Sequence, residues 1–205
     1  METKTEKQLF KVHYGSSYIE SVRVLLSNLN EYKGGVINPY KIPLIITAAA
    51  ALETILNEAI IVECRHRLPQ KDIKRITNAH LGMSLGGKLD NLGWILTDNN
   101  YVMNNESEIY QCLKSIIKYR NEIMHLKEYF REVELQVVEE ETEEGIETGV
   151  VWDKEFFEST KLSIDAISEE EYDRFYRAVS ELEVTIVNIT SKPPVEENDL
   201  FIKNT

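Results

Sequence analysis

The stretch from Ser107 to Tyr129, SEIYQCLKSIIKYRNEIMHLKEY, decides how the chain is read. Its apolar residues Ile109, Cys112, Leu113, Ile116, Ile117, Ile123 and Met124 recur at helical spacing. With Ile116 set to zero and a turn of about 100° per residue, they lie between about −40° and +100° on one stripe. Arg120 falls at about +40°, in the middle of that stripe. A guanidinium keeps its proton, and burying an unpaired charge is costly. Arg120 therefore calls for a buried acidic partner or a polar cleft. Asn121 and His125 are one turn apart and share the neighbouring face. A fixed cation, an amide and a titratable imidazole are thus expected along one edge of a helix.

Working back from this helix, residues Leu44 to Arg65 are apolar nearly all round, which marks a helix central to its bundle. Its most apolar window, Ile42 to Val62, is Ala-rich and broken by Glu53, Asn57 and Glu58. That pattern fits a core helix and not a membrane span. Glu53 and Asn57 are an i,i+4 pair with Thr54 and Glu58 beside them. Pairing with a neighbouring helix, or solvation at one end, would account for them; the sharper expectation is that Glu53 or Asn57 meets Arg120 and orients it. Cys64-Arg65-His66-Arg67 closes the helix with positive charge, which complements its dipole. The Cys-x-His pair lacks the second pair of ligands that a metal site needs.

The rest of the chain supplies further helices and one change of period. Residues 1–15 are a charged lead-in whose start, Met1 to Lys7, has no apolar core and does not read as a signal peptide. Ser16 or Ser17 could cap a helix from Tyr18 to Tyr32, which Gly34-Gly35 stops. Short helices are expected over Lys71–Ala79 and Lys88–Leu96. Gly86-Gly87 lacks the further glycines and the Lys-Ser/Thr of a phosphate loop. Asn99 to Asn105 reads as a polar turn, with Asn104 or Asn105 capping the next helix. After Tyr129, Val133, Leu135 and Val137 alternate with Glu132, Glu134 and Gln136, which is strand spacing. Glu143-Glu144-Gly145 reads as a turn, Ile146–Trp152 as a returning strand, and Lys161–Ile164 as a possible third. Residues 130–165 are therefore expected to be a β-hairpin insert. Its acidic run, Glu139 to Glu147, suits a solvated tip or a surface for a basic partner. Ser168-Glu169-Glu170-Glu171 is a capping box. It opens a final helix to about Thr190, with Tyr172, Phe175, Tyr176, Val179, Leu182 and Ile186 as core stripe. Pro193-Pro194 ends the expected domain at 192, leaving 193–205 as a mobile tail.

Composition bounds what such a domain can do. The 205 residues are 42% apolar, enough for a sizeable core. The net charge of −12 argues against a general, charge-driven nucleic-acid binder, though not against an RNA enzyme with a locally basic cleft. Cys64 and Cys112 lie in apolar helical contexts and read as free buried thiols of a reducing compartment, so a cytoplasmic setting is expected.

Arg120-Asn121-x-x-x-His125, late in a helical domain, resembles the signature of the HEPN superfamily: an arginine, a polar residue, and a histidine after a gap of four to six. The resemblance covers roughly residues 5–130 and 165–192 and leaves the insert unexplained. It implies an all-α bundle that forms a homodimer, with two motifs meeting across a two-fold cleft. It implies a metal-independent endoribonuclease, of a kind found in toxin–antitoxin and antiviral systems, with RNA as substrate and an antitoxin or regulatory protein as a possible partner. Arg120, Asn121 and His125 would be catalytic, Glu53 and Asn57 supporting, with no cofactor, metal or membrane involved. The chemistry suits the residues: imidazole moves protons near neutral pH, and a guanidinium fork holds phosphate. Other members are inactive helical modules. The alternative is thus a non-catalytic dimeric module binding a protein partner or a nucleotide, with Arg120 a structural cation paired with Glu53.

Overall fold

One helix, α2 (Lys41–Arg67), is the axis of the molecule. Alanines 48 to 51 give its middle strong helix propensity. Pro43 falls in its first turn, where a missing N–H costs no intrahelical bond. Arg65, His66 and Arg67 fill its last turn, and Leu68 leaves extended ahead of Pro69. In the computed structural model, which describes residues 14–34, 38–125, 136–142, 145–151, 163–191 and 198–204, six other helices touch α2. They are α1 (Gly15–Glu31), α3 (Gln70–Leu81), α4 (Leu85–Asp90), α5 (Leu92–Thr97), α6 (Glu108–Met124) and α7 (Glu169–Ser191). The fold is mainly α, a helical bundle around α2. By length and composition α2 would be long and apolar enough to cross a membrane; half of that apolar window is buried here inside the bundle.

The flanking helices bury the stripes that the sequence marks. Val22, Leu26 and Leu29 of α1, and Tyr172, Phe175, Val179, Leu182 and Ile186 of α7, enter one core with α2. The α1 helix begins three residues earlier than serine capping predicts. Glu58 Oε1 accepts from the Tyr14 backbone N–H at 2.7 Å, and Ser16 Oγ donates instead to Glu183 Oε1. Ser168 does cap α7, its Oγ accepting from Glu171 N at 3.2 Å. The segment expected as one helix over 88–96 is two, α4 and α5, meeting at Asn91. Gly93 is required there: a Cβ would lie 2.9 Å from the backbone of Tyr101 and Val102.

Two corrections concern strands. The turn expected over Asn99–Asn105 contains a short strand, β1 (Tyr101–Met103). Its antiparallel partner is β4 (Phe201–Lys203), with Val102 opposite Ile202. The domain therefore does not end at 192, and the tail expected to be mobile returns to the fold over residues 198–204. Leu200 and Phe201 are 1% and 0% exposed and join the main core. Asn104 N donates to the Leu200 carbonyl, and Asn204 N to that of Asn100. Pro193-Pro194 lies outside the described residues; beyond it, two adjacent apolar side chains recover the cost of ordering the chain.

The insert contains a hairpin of β2 (Gln136–Thr142) and β3 (Gly145–Val151), antiparallel, with Gln136 opposite Val151 and Thr142 opposite Gly145. Val133 and Leu135, expected in the first strand, lie outside the described residues, as does the turn over Glu143 and Glu144. The possible third strand is not one where it is described: Ser163–Ala166 is a 3₁₀ turn. Ile164 and Ile167 are both buried, and their i,i+3 spacing suits a turn and not alternation.

A buried phenol ties α6 to α4. The Tyr110 hydroxyl donates to Asp90 Oδ1 at 2.6 Å, and Lys114 Nζ donates to the same oxygen at 3.0 Å. Burial, then the hydrogen bond and charge of Asp90, push the Tyr110 phenol up to about 12. A group raised in the folded state stabilises it fully below its unfolded value, near 10 for tyrosine, and that stability is lost as pH rises through the folded value. Stability is thus expected to fall between about pH 10 and about pH 12, and less steeply in Tyr110→Phe. Denaturant midpoints of both proteins across that range check it; identical slopes would contradict it.

Candidate functional site

The α6 helix begins at Ser107, whose Oγ accepts from Tyr110 N at 3.1 Å. The expected caps, Asn104 and Asn105, are not used: Asn104 Nδ2 donates to the Asp199 carbonyl, and its Oδ1 accepts from Glu106 N. From this start, Tyr110, Leu113, Ile116 and Ile117 point into the core between α2 and α7. Beyond Ile117 the helix emerges. Ile123 is half-buried against the core and Met124 is 57% exposed. The helix ends at Met124 where the sequence reading carries it to Tyr129, and residues 126–129 lie outside the described set.

Arg120, Asn121 and His125 therefore sit on the emerging end of α6. Arg120 is half-buried; Asn121 and His125 are exposed. Arg120 Nη1 donates to Asn121 Oδ1 at 3.0 Å. His125 is the C-cap, and its backbone N–H donates to the Asn121 carbonyl at 3.0 Å. The three candidates are thus gathered by one turn of backbone, with the amide of Asn121 steadying the guanidinium and the imidazole free to reach solvent at the helix end.

The two supporting residues are placed differently from expectation. Glu53 does not meet Arg120 among the described residues. Its Oε1 accepts from Lys88 Nζ at 3.1 Å, and that lysine side chain is only 4% exposed, against 43% for the carboxylate. The structural-cation arrangement, Arg120 paired with Glu53, is therefore corrected: the buried cation on α2's polar edge is Lys88. A cation this deep takes the carboxylate because leaving it alone would cost more than the half-buried Arg120, bonded to Asn121, loses by doing without. A signal for it was present. Lys88 falls on the stripe Leu85, Lys88, Leu89, Leu92, an i, i+3, i+4, i+7 apolar pattern interrupted by one charge. Asn57 Oδ1 is buried without a hydrogen-bond partner among the described residues, so Asn57 does not bond to Arg120.

This pairing makes a prediction. Glu53→Ala should cost about 1–3 kcal/mol, since it strands a buried ammonium, with the half-exposed position of Glu53 keeping the loss below that of a fully buried pair. Combined with Arg120→Ala the losses should add; combined with Lys88→Met they should not. Denaturant midpoints of the single and double variants test this, and strong coupling between Glu53 and Arg120 would contradict it.

Other chemistry is narrowed by the surroundings of α6. Cys112 is a half-buried free thiol, pushed up to about 12 mainly by burial. It is protonated at neutral pH and offers no thiolate nucleophile. Burial, and then the Glu171 carboxylate, also raise the Tyr119 phenol. Among the described residues no three His, Cys, Asp or Glu side chains come together as a metal set. Imidazole remains the side-chain type suited to proton transfer near neutral pH, and His125 carries one at the exposed edge. Compared with known protein families, curated proteins and solved structures, the chain shows no match.

Proposed function

We propose that this protein is a metal-independent endoribonuclease of HEPN type, acting as a homodimer in the cytoplasm in a toxin or antiviral role. The observation that carries the reading is the state of Arg120: its guanidinium is steadied by Asn121 at a solvent-reaching edge, five residues before an exposed His125, while Glu53 is engaged by Lys88. A guanidinium held in that way retains donors for a phosphodiester. The RNA strand supplies its own nucleophile, the 2′-hydroxyl. His125 would remove its proton or protonate the departing 5′-oxygen, and Arg120 would stabilise the charge that builds on the phosphorane. A single motif histidine, His125, cannot stand on both sides of the phosphorus at once. A second copy, with its α6 end facing the first across a two-fold axis, would provide the other. It would also concentrate two arginines into a basic groove on an acidic protein.

The test is purified protein with RNA and with DNA of the same sequence, in chelator. The expected result is cleavage of RNA alone, undiminished by chelation, from a species that light scattering shows to be a dimer. DNA lacks the attacking hydroxyl. Cleavage lost on chelation would overturn the assignment, and a strict monomer at high concentration would overturn the shared site. A protein that cuts no RNA would instead favour a non-catalytic module that binds a protein partner or a nucleotide.

A further inference from the structure

A cavity of about 550 Å³ opens between the C-terminal end of α2, α3 and α5. That is within the span of about 300–1,000 Å³ typical of small-molecule pockets. None of its lining residues comes from α6 or α7, so it is separate from the Arg120 edge. Its apolar side is built on a cluster distinct from the main core: Ile60, Cys64 and Ile95, with Leu68, Ile76 and Met83 packed on them. Trp94 also lines it, yet is 49% exposed, unusual for the largest side chain on a helix that is otherwise mostly buried.

The polar side has a definite sense. Arg67 lines the cavity but its guanidinium is already engaged. Nε meets Glu63, Nη1 lies 3.2 Å from Asp98 Oδ1, and Nη2 donates to the Ile95 carbonyl. Two carboxylates thus share one cation. Asn91 Nδ2 donates to the Gly87 carbonyl at 2.8 Å, so the amide's accepting oxygen is the end left for a ligand. The lining therefore sets two carboxylates, Glu63 and Asp98, and the Asn91 oxygen around an aromatic face. Asp98 and Asn99 on the rim have φ of 55° and 66°, the left-handed ending of α5 that Asp and Asn accommodate readily.

We propose that this cavity binds a small planar heteroaromatic amine without a phosphate. The ring stacks on the Trp94 indole and packs against Ile76 and Met83. Its exocyclic amine donates to Glu63, Asp98 or Asn91. A phosphate is disfavoured, because it would meet two carboxylates that already share the one guanidinium beside them. This proposal stands independently of the ribonuclease reading.

The test is calorimetric titration of the full chain with adenosine and cytidine. Inosine and uridine, which carry a carbonyl where adenosine and cytidine carry the amine, are the comparators, with adenosine monophosphate beside them. At least one amine-bearing probe should bind, and its carbonyl counterpart should bind about tenfold or more weakly, since acceptor would face acceptor. Adenosine monophosphate should bind no more tightly than adenosine. Trp94→Ala should weaken binding while leaving the melting curve near that of the parent, and Ile76→Trp, which fills the cavity, should abolish it. Failure of every amine-bearing probe at millimolar concentration, equal binding of amine and carbonyl partners, tighter binding of the monophosphate, or binding indifferent to both substitutions would each overturn the proposal.

Discussion

His125→Ala is expected to lower RNA cleavage by about 10²–10⁴-fold, the contribution typical of a general acid–base group, with no change in melting behaviour. The two halves of this expectation have separate grounds. His125 is exposed and joins the fold through its backbone N–H, which alanine retains. His125 caps α6 through that backbone group alone, so alanine removes no capping bond, and exposed substitutions of that kind usually change stability by less than about 0.5 kcal/mol. The loss should therefore lie in kcat. Arg120→Lys separates charge from geometry: lysine keeps the cation but lacks the planar fork that would hold a phosphate while bonded to Asn121. It should fall well below the parent enzyme. His125→Ala cleaving at the parent rate would remove the imidazole from the mechanism.

Phe201→Ala is expected to cost about 3–5 kcal/mol, the range for a fully buried phenylalanine. The residue lies ten positions beyond the end of α7, past a diproline, where the sequence suggests only a polar tail. Its ring is nonetheless completely buried, and its strand supplies the partner of β1. Ile202→Ala is the control. That side chain is 40% exposed on the same strand, so little should be lost. Denaturant midpoints of the two variants check the contrast. Equal, small losses would mean that 198–204 is not part of the cooperative unit.

The contrast between α7 and β4 shows what the sequence made legible. Helices announce themselves by repetition. The stripes of α1, α2, α6 and α7 span three turns or more, and their reading survives errors of a few residues at the ends. The three residues of β4 and of β1 give alternation no room to register. Their pairing is a contact between positions a hundred residues apart, which no local pattern carries. The candidate site divides on the same principle. Arg120, Asn121 and His125 are gathered by one helix and one cap, so their proximity follows from spacing alone. The expected support from Glu53 required knowing which cation faces α2's polar edge, and two were available. Lys88 holds it because α4 buries that lysine, whereas α6 has already left the core by Arg120. The Trp94 cavity was equally out of reach, since it joins the end of α2 to two later helices.

The most direct test of the ribonuclease assignment is the mass of the cleaved ends. A defined RNA is incubated with the purified chain in chelator, and the upstream fragment is weighed. Attack by the neighbouring 2′-hydroxyl leaves a 2′,3′-cyclic phosphate on that fragment and a 5′-hydroxyl on the other. The account predicts those ends, and no cut where a single 2′-deoxynucleotide replaces the nucleotide at the cleavage position. A 3′-hydroxyl paired with a 5′-phosphate, or cleavage that persists through the deoxy substitution, would mean that water is the nucleophile and would contradict it.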